Sequence, residues 1–400
     1  MPNDIRDRNR ARILQVLMAN SPLSRMQISQ QTNLSKSTVS VIVSDLLREE
    51  LVCEGETGAS GASGGRRPVL LRFNDRARFA CGIEIDAETC HGVLVDLQCK
   101  PLRRASLGVR GSEVSDVLTS IASTVDRLLE GDDRTSCVGC GVAMVGLVNS
   151  DEGIVLSSTH FAWRDVPLRD LLAEHLGFPV RVADRPKAAV LGEKWYGIGQ
   201  GVDNLVYIHL GSGIGAGIVI GGELYAGQSH TAGEIGHITV DRDGPLCGCG
   251  NRGCLEALAS GPAIARRTIA LAKGGSQTSM ADWVEGNLEL ITAKMVDQAA
   301  SKGDQLALRV IRETGEHVGI AIANLLDVVN PELVIVGGPV ARFGKPFLDS
   351  IHRTVRQRAL SLPASAAQIV LSVLGQDAEA IGAAALVLQE CTRPLQLAQL

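Results

Sequence analysis

The sequence predicts an α/β protein in two parts: a winged helix-turn-helix head, then a body of two similar α/β lobes. Three observations point there. Capped helical segments joined by a tight turn open the chain, and a glycine- and serine-rich loop between two short apolar runs follows them. From Ala80 onward, short apolar strands alternate with helical stretches and glycine turns. The length of 400 residues accommodates two or three compact domains.

Composition narrows the class further. The chain is 45% hydrophobic and 21% charged, and no apolar stretch approaches the roughly 18–20 residues of a membrane span. No membrane partner is expected. The polar, basic N-terminal stretch lacks a secretory apolar core, which predicts a cytoplasmic address. Ten cysteines, most of them isolated in apolar runs, are expected to be reduced. The net charge of −5 argues against nonspecific nucleic-acid binding by the whole molecule. Its distribution is uneven, because residues 1–75 carry ten Lys and Arg against eight Asp and Glu, leaving 29 against 36 for the rest. Only the head suits a polyanion.

In the head, Arg8 to Leu17 reads as a first helix, with Ile13, Leu14 and Leu17 on one face and Arg6, Arg10 and Arg12 toward solvent. Ser24 and Gln27 have capping-box spacing for a short second helix, and Asn33 suits the left-handed turn after it. Ser35 then caps a third helix that turns Val39, Ile42, Val43, Leu46 and Leu47 inward. Its exposed N-terminal end offers Lys36, Ser37, Thr38 and Ser40, side chains fit to read a major groove. Residues 51–54 and 69–73 read as strands around a loop that carries Arg66 and Arg67 toward a minor groove or phosphates.

In the body, the apolar pattern gives strands at CGIEI and HGVLVDL, then a helix near 114–129, a strand near 138–145 and a helix near 167–176. A strand at 179–183 and a helix at 186–195 follow. The second set comprises a hairpin at VYIHLGSGIGAGIVIGGELY, long helices between 262 and 328 and a buried strand in LVIVGG (333–338). Ligands of such architectures sit at the carboxyl ends of the strands, in the cleft between lobes.

GEIGH (233–237), CGCGNRGCLE (247–256), LGSGIGAG (210–217) and NPELVIVGG (330–338) together resemble the ROK family of repressors and sugar kinases. With the head in front, the chain most resembles the family's NagC/XylR-type transcriptional regulators. The resemblance implies an actin-like, RNase H-like fold and a homodimer or homotetramer. It also implies a first lobe over 78–185, completed by a C-terminal helix at about 378–400. The second lobe, over 186–377, would hold the metal loop and the oligomerisation surface.

His237, Cys247, Cys249 and Cys254 form a compact set of one imidazole and three thiolates, which favours tetrahedral zinc. Four protein ligands leave no position for a reactive water, so the zinc is expected to be structural. The resemblance assigns zinc to the same four positions. It also places Glu234, His237 and Glu256 on sugar hydroxyls, and carboxylates suit polyols because each accepts two charge-assisted hydrogen bonds.

Two departures from the kinase pattern stand out. The run that resembles the family's NDxNAAALGE reads DRPKAAVLGE (184–193), so Asp184 stands in the place of the Asn and Arg185 in that of the Asp base. A guanidinium cannot accept the hydroxyl proton in sugar phosphorylation. The DxGGT-type phosphate turn reads EIDAET (84–89), with Asp86 and Ala87 replacing both glycines. His160 lies where the family often places an Asn near the sugar. Arg185 and Lys187 either pair with Glu234, Asp184 or Glu256, or receive an anionic group of the ligand; on the second alternative a phosphorylated or acidic sugar binds better than its neutral parent.

The function expected is therefore a sugar-responsive repressor of carbohydrate uptake or catabolism that binds palindromic operator DNA and has lost kinase activity. Its ligand site comprises His160, Asp184, Arg185, Glu234, His237 and Glu256. The alternatives are an ATP-dependent sugar kinase with an attached DNA-binding head, and a regulator controlled by a protein partner of a transport system.

Overall fold

In the computed structural model, which describes residues 2–57, 67–86, 88–132 and 134–396, the chain opens with three helices. They span Pro2–Asn20, Arg25–Thr32 and Lys36–Arg48. Ser24 and Gln27 form a capping box, and Asn33 takes the left-handed conformation with φ 53°. Ser35 Oγ accepts the N–H of Thr38, as its spacing predicts. Ile13, Leu14, Leu17, Ile28, Val39, Ile42, Val43 and Leu46 close the core. The first helix is longer than its apolar pattern predicts. Two of its arginines are not free in solvent: Arg6 pairs with Asp45 at 2.5 Å and Arg10 with Glu49, which tie it to the end of the third helix.

Val52–Thr57 and Val69–Phe73 pair antiparallel as the wing. A third strand, Leu23–Ser24, pairs with the second of these. At two residues it is too short to announce itself by alternation.

The body contains two five-stranded sheets of the same topology. In the first the order is Val180–Asp184, Cys137–Met144, Phe79–Ile85, Thr89–Asp96, Pro101–Gly108. The first three strands run parallel and the last two are added antiparallel. In the second the order is Gln368–Leu371, Leu333–Gly337, Leu205–Leu210, Ile214–Ile220, Glu223–Leu224, with the same directions. Parallel strands covered on both faces read as unbroken apolar runs, which is why Leu333–Gly337 is buried throughout. A small antiparallel sheet of Leu147–Asn149, Ile154–Ser158 and Trp163–Val166 sits beside the first.

Helix Ala378–Gln396 lies on the first sheet at backbone distance. A Cβ on Gly82 would come within 1.9 Å of the carbonyl oxygen of Ala380, and one on Gly141 within 1.8 Å of that of Ala383. Only glycine permits this approach. The same helix packs against helix Arg185–Tyr196, so these two helices lie between the sheets. Leu51 and Phe73 of the head pack both on the head's own core and on the cluster that includes Ala380, Ile381 and Ala384. Among the described residues, no helix is long and apolar enough to cross a membrane.

Candidate functional site

The parallel strands of both sheets end around one cavity, which Arg185 lines; Asp184, Glu234, His237 and Glu256 form a cluster that adjoins it at Asp184–Arg185. Asp184 ends the last strand of the first sheet and caps helix Arg185–Tyr196, its Oδ1 accepting the N–H of Lys187 at 3.0 Å. The Lys187 ammonium, 3% exposed, donates to Asp184 Oδ2 at 2.5 Å and to the carbonyl of His230 at 2.6 Å. Burial nevertheless raises the Asp184 carboxyl above its ordinary value, against the pull of Lys187.

Glu234 precedes a single turn, Ile235–His237, that aims the imidazole of His237 into the metal loop. Burial raises the Glu234 carboxyl; the charges of Asp184 and Glu256 add to the rise, while His237 and Lys187 oppose it. Glu256, in the turn of helix after the last loop cysteine, accepts the N–H of Ile214 at 3.0 Å and so joins the metal loop to the glycine-rich hairpin. Asp184, Lys187, Glu234, His237 and Glu256 thus feel one another's fields. His160 stands apart: it is exposed in the turn between Ile154–Ser158 and Trp163–Val166, with no hydrogen bond or ion pair to the acidic cluster.

Arg185 is buried and turns away from that cluster, its Nη1 3.6 Å from Glu84 Oε1. It pairs with none of the three acids considered for it. Burial, followed by the charge of Glu379, outweighs Arg185 and pushes Glu84 up to about 8. Nearby, His209 Nδ1 is hydrogen-bonded to Glu379 Oε1 at 2.7 Å, and the hydroxyl of Tyr207 donates to the same oxygen at 3.3 Å. Burial, then the charge of Arg185, holds His209 below the ordinary imidazole value, so its neutral Nδ1–H donates to the carboxylate. Glu84, Asp86, Arg185, His209 and Glu379 line a cavity of about 880 Å³ between the sheets. Sequence reasoning missed His209 and Glu379, whose partnership spans 170 positions; no local spacing reveals it.

In the metal loop, the ligand atoms of His237, Cys247, Cys249 and Cys254 all lie within 4.8 Å of one another. Cys249 Sγ to Cys254 Sγ and Cys247 Sγ to His237 Nδ1 are each 3.7 Å. A tetrahedral ion with metal–sulfur bonds of about 2.3 Å requires sulfur–sulfur edges of about 3.8 Å. The four residues fit a tetrahedral metal. His237 Nε2, the ring nitrogen away from Cys247, lies 3.8 Å from Glu234 Oε2, beyond hydrogen-bond distance. The loop closes tightly because Gly253, with φ +65°, lies where any Cβ would strike the carbonyl of Asp241.

In the head, Lys36, Ser37 and Ser40 are exposed at the start of the third helix, and Thr38 is half-buried. Arg67 is exposed at the foot of the wing; Arg66 lies outside the described residues.

Residues 80–390 match the family model described as ROK family. The chain belongs to the ROK family. Residues 6–52 match the model described as winged helix-turn-helix DNA-binding, in accord with the head's geometry. Over 385 residues the chain is 31% identical to the xylose repressor of Caldicellulosiruptor bescii, covering 96% of each protein. Among solved structures it is similar, with TM-score 0.82 and 28% identity over 98% of both chains, to a ROK family transcriptional regulator described as a homolog of the E. coli MLC protein. It is also similar to a ROK family glucokinase from Streptomyces griseus in complex with glucose and AMPPNP, with TM-score 0.71 and 32% identity. That kinase is covered over 98% of its length but matches only 77% of this chain. These two regulators share the full ROK body with its head.

Proposed function

We propose that this ROK protein is a sugar-responsive, DNA-binding transcriptional repressor of carbohydrate uptake or catabolism that has lost phosphotransfer. The observation that carries the reading is the joining of a winged helix-turn-helix, through Leu51 and Phe73, to a body whose cleft gathers Asp184, Glu234, His237 and Glu256. In such a cleft the carboxylates accept hydroxyl hydrogen bonds, and the Lys187 ammonium opposes the burial that raises the Asp184 carboxyl. Sugar binding favours one arrangement of the lobes, and with it one separation of two heads on a palindromic operator. A homodimer or homotetramer supplies that symmetry.

Loss of phosphotransfer is supported by Arg185. A guanidinium paired with Glu84 stands where a carboxylate base would be needed, and it cannot take a proton at neutral pH. Asp86, whose Oδ1 accepts the N–H groups of Glu88 and Thr89, adds negative charge where a triphosphate would need donors. Lys187 is held by Asp184, which favours a neutral sugar as the effector; Arg185, 3.6 Å from Glu84 and lining the cavity, keeps a phosphorylated or acidic sugar as the alternative.

Zinc is the metal proposed for His237, Cys247, Cys249 and Cys254, bracing the segment that carries Glu234 and Glu256. It supplies structure rather than a reactive water. Gel-shift titration of the full chain on operator DNA, with and without xylose, glucose and their phosphates, tests the function. A neutral sugar that shifts DNA affinity supports it. Steady ATP-dependent formation of a phosphosugar, abolished by Asp184→Ala, overturns it.

A further inference from the structure

We propose that Val41 is a specificity-determining residue that reads a thymine by contact with its C5-methyl group in each operator half-site. The proposal rests on the DNA-binding reading of the head. Helix Lys36–Arg48 buries Val39, Ile42, Val43 and Leu46, which leaves Ser37, Ser40, Val41 and Ser44 as an outward stripe at helical spacing. Val41 is 59% exposed on that stripe.

Several of its neighbours are engaged within the head. The hydroxyls of Ser37 and Thr38 are bonded to Ser35 Oγ at the helix cap, and Ser44 donates to the carbonyl of Ser40. Lys36 is a flexible point charge suited to phosphate. Beside the Ser40 hydroxyl, the stripe then offers the isopropyl group of Val41, in the helix half that reaches base edges. In the major groove the thymine methyl is the apolar element that distinguishes one base from the others. A β-branched side chain is stiff at χ1, so its methyls are held in place and little rotamer freedom is lost on contact.

The test uses the full chain and an operator it selects from random-sequence DNA. Each thymine is replaced in turn by deoxyuridine, which removes the methyl and nothing else, and affinity is measured for the wild type and for Val41→Ala. One thymine per half-site is expected at which replacement weakens the wild type about fourfold, the equilibrium worth of one buried methyl, while Val41→Ala binds both versions equally. Thermal unfolding of Val41→Ala is expected to match the wild type, since the side chain is exposed. If every replacement weakens both proteins equally, or none weakens the wild type, the proposal is overturned and the DNA-binding reading stands. Failure of the wild type to enrich any sequence overturns that reading as well.

Discussion

Lys187 and Asp184 form an ion pair that burial makes sensitive to the loss of either partner. Lys187→Met leaves a carboxylate sealed from water beside a helix N-terminus, and removing one member of such a pair costs about 3–5 kcal/mol. Denaturant unfolding is expected to show that loss, and the double variant Lys187→Met with Asp184→Asn is expected to recover most of it. His209 makes a prediction in pH. Burial first holds His209, His317 and His352 below the ordinary 6.5, so below that pH the unfolded chain takes up protons that the native one refuses. The contribution of these imidazoles is therefore full above pH 6.5 and falls as the pH drops beneath it, by at most about 1.4 kcal/mol per unit for the buried His209, while Glu84, raised to about 8, contributes in the opposite sense as the pH rises from 4.5. The slope of unfolding free energy between pH 7 and 5 is expected to flatten in His209→Asn. At this scale the acids of the cleft were legible, because glycines and loop cysteines flank Glu234 and Glu256. The partners of Arg185 and His209 were not, because Glu84 and Glu379 meet them only through the tertiary fold.

The capped helices of the head and the metal loop are the elements whose design can be tested singly. Ser35→Ala removes the acceptor for the Thr38 N–H and is expected to cost about 1 kcal/mol, read as a lowered unfolding midpoint of the head. Cys249→Ser, or treatment with a strong chelator, is expected to lower the thermal midpoint and also to weaken the sugar response, because Glu256 hangs on the same loop as Cys254. Metal content by atomic emission, measured beside sugar titration calorimetry, checks both effects; a Cys249→Ser protein with an undiminished response would remove the loop from the sugar site. Elements with caps or long apolar runs were readable from the chain. Pro101–Gly108 was not, because it is an edge strand whose residues are alternately exposed and half-buried, with two arginines in place of an apolar run.

For the molecule as a whole, Leu51 and Phe73 make the head continuous with the helix that lies between the two sheets. That contact gives the head a packed seat on the body. If a sugar weakens operator binding by some factor, linkage requires operator DNA to weaken sugar binding by the same factor. Calorimetry of sugar binding to the free protein and to its operator complex is expected to return that equality, and a mismatch would mean that a further state or subunit equilibrium intervenes. The two-lobed plan was legible because its alternation of strands and helices repeats. The seating of the head was not, because Leu51 and Phe73 read equally well as residues of the head's own core.

The close stacking of Ala378–Gln396 on Gly82 and Gly141 also sets a timetable for synthesis. Strands that carry those glycines leave the ribosome early, yet the cover for their apolar face is made near the end, some tens of seconds later at about 5–20 residues per second. By then every residue of the head's core, drawn from residues 13–73, has been synthesised. Every nascent chain thus holds the whole sequence of its DNA reader before its sensor can be completed.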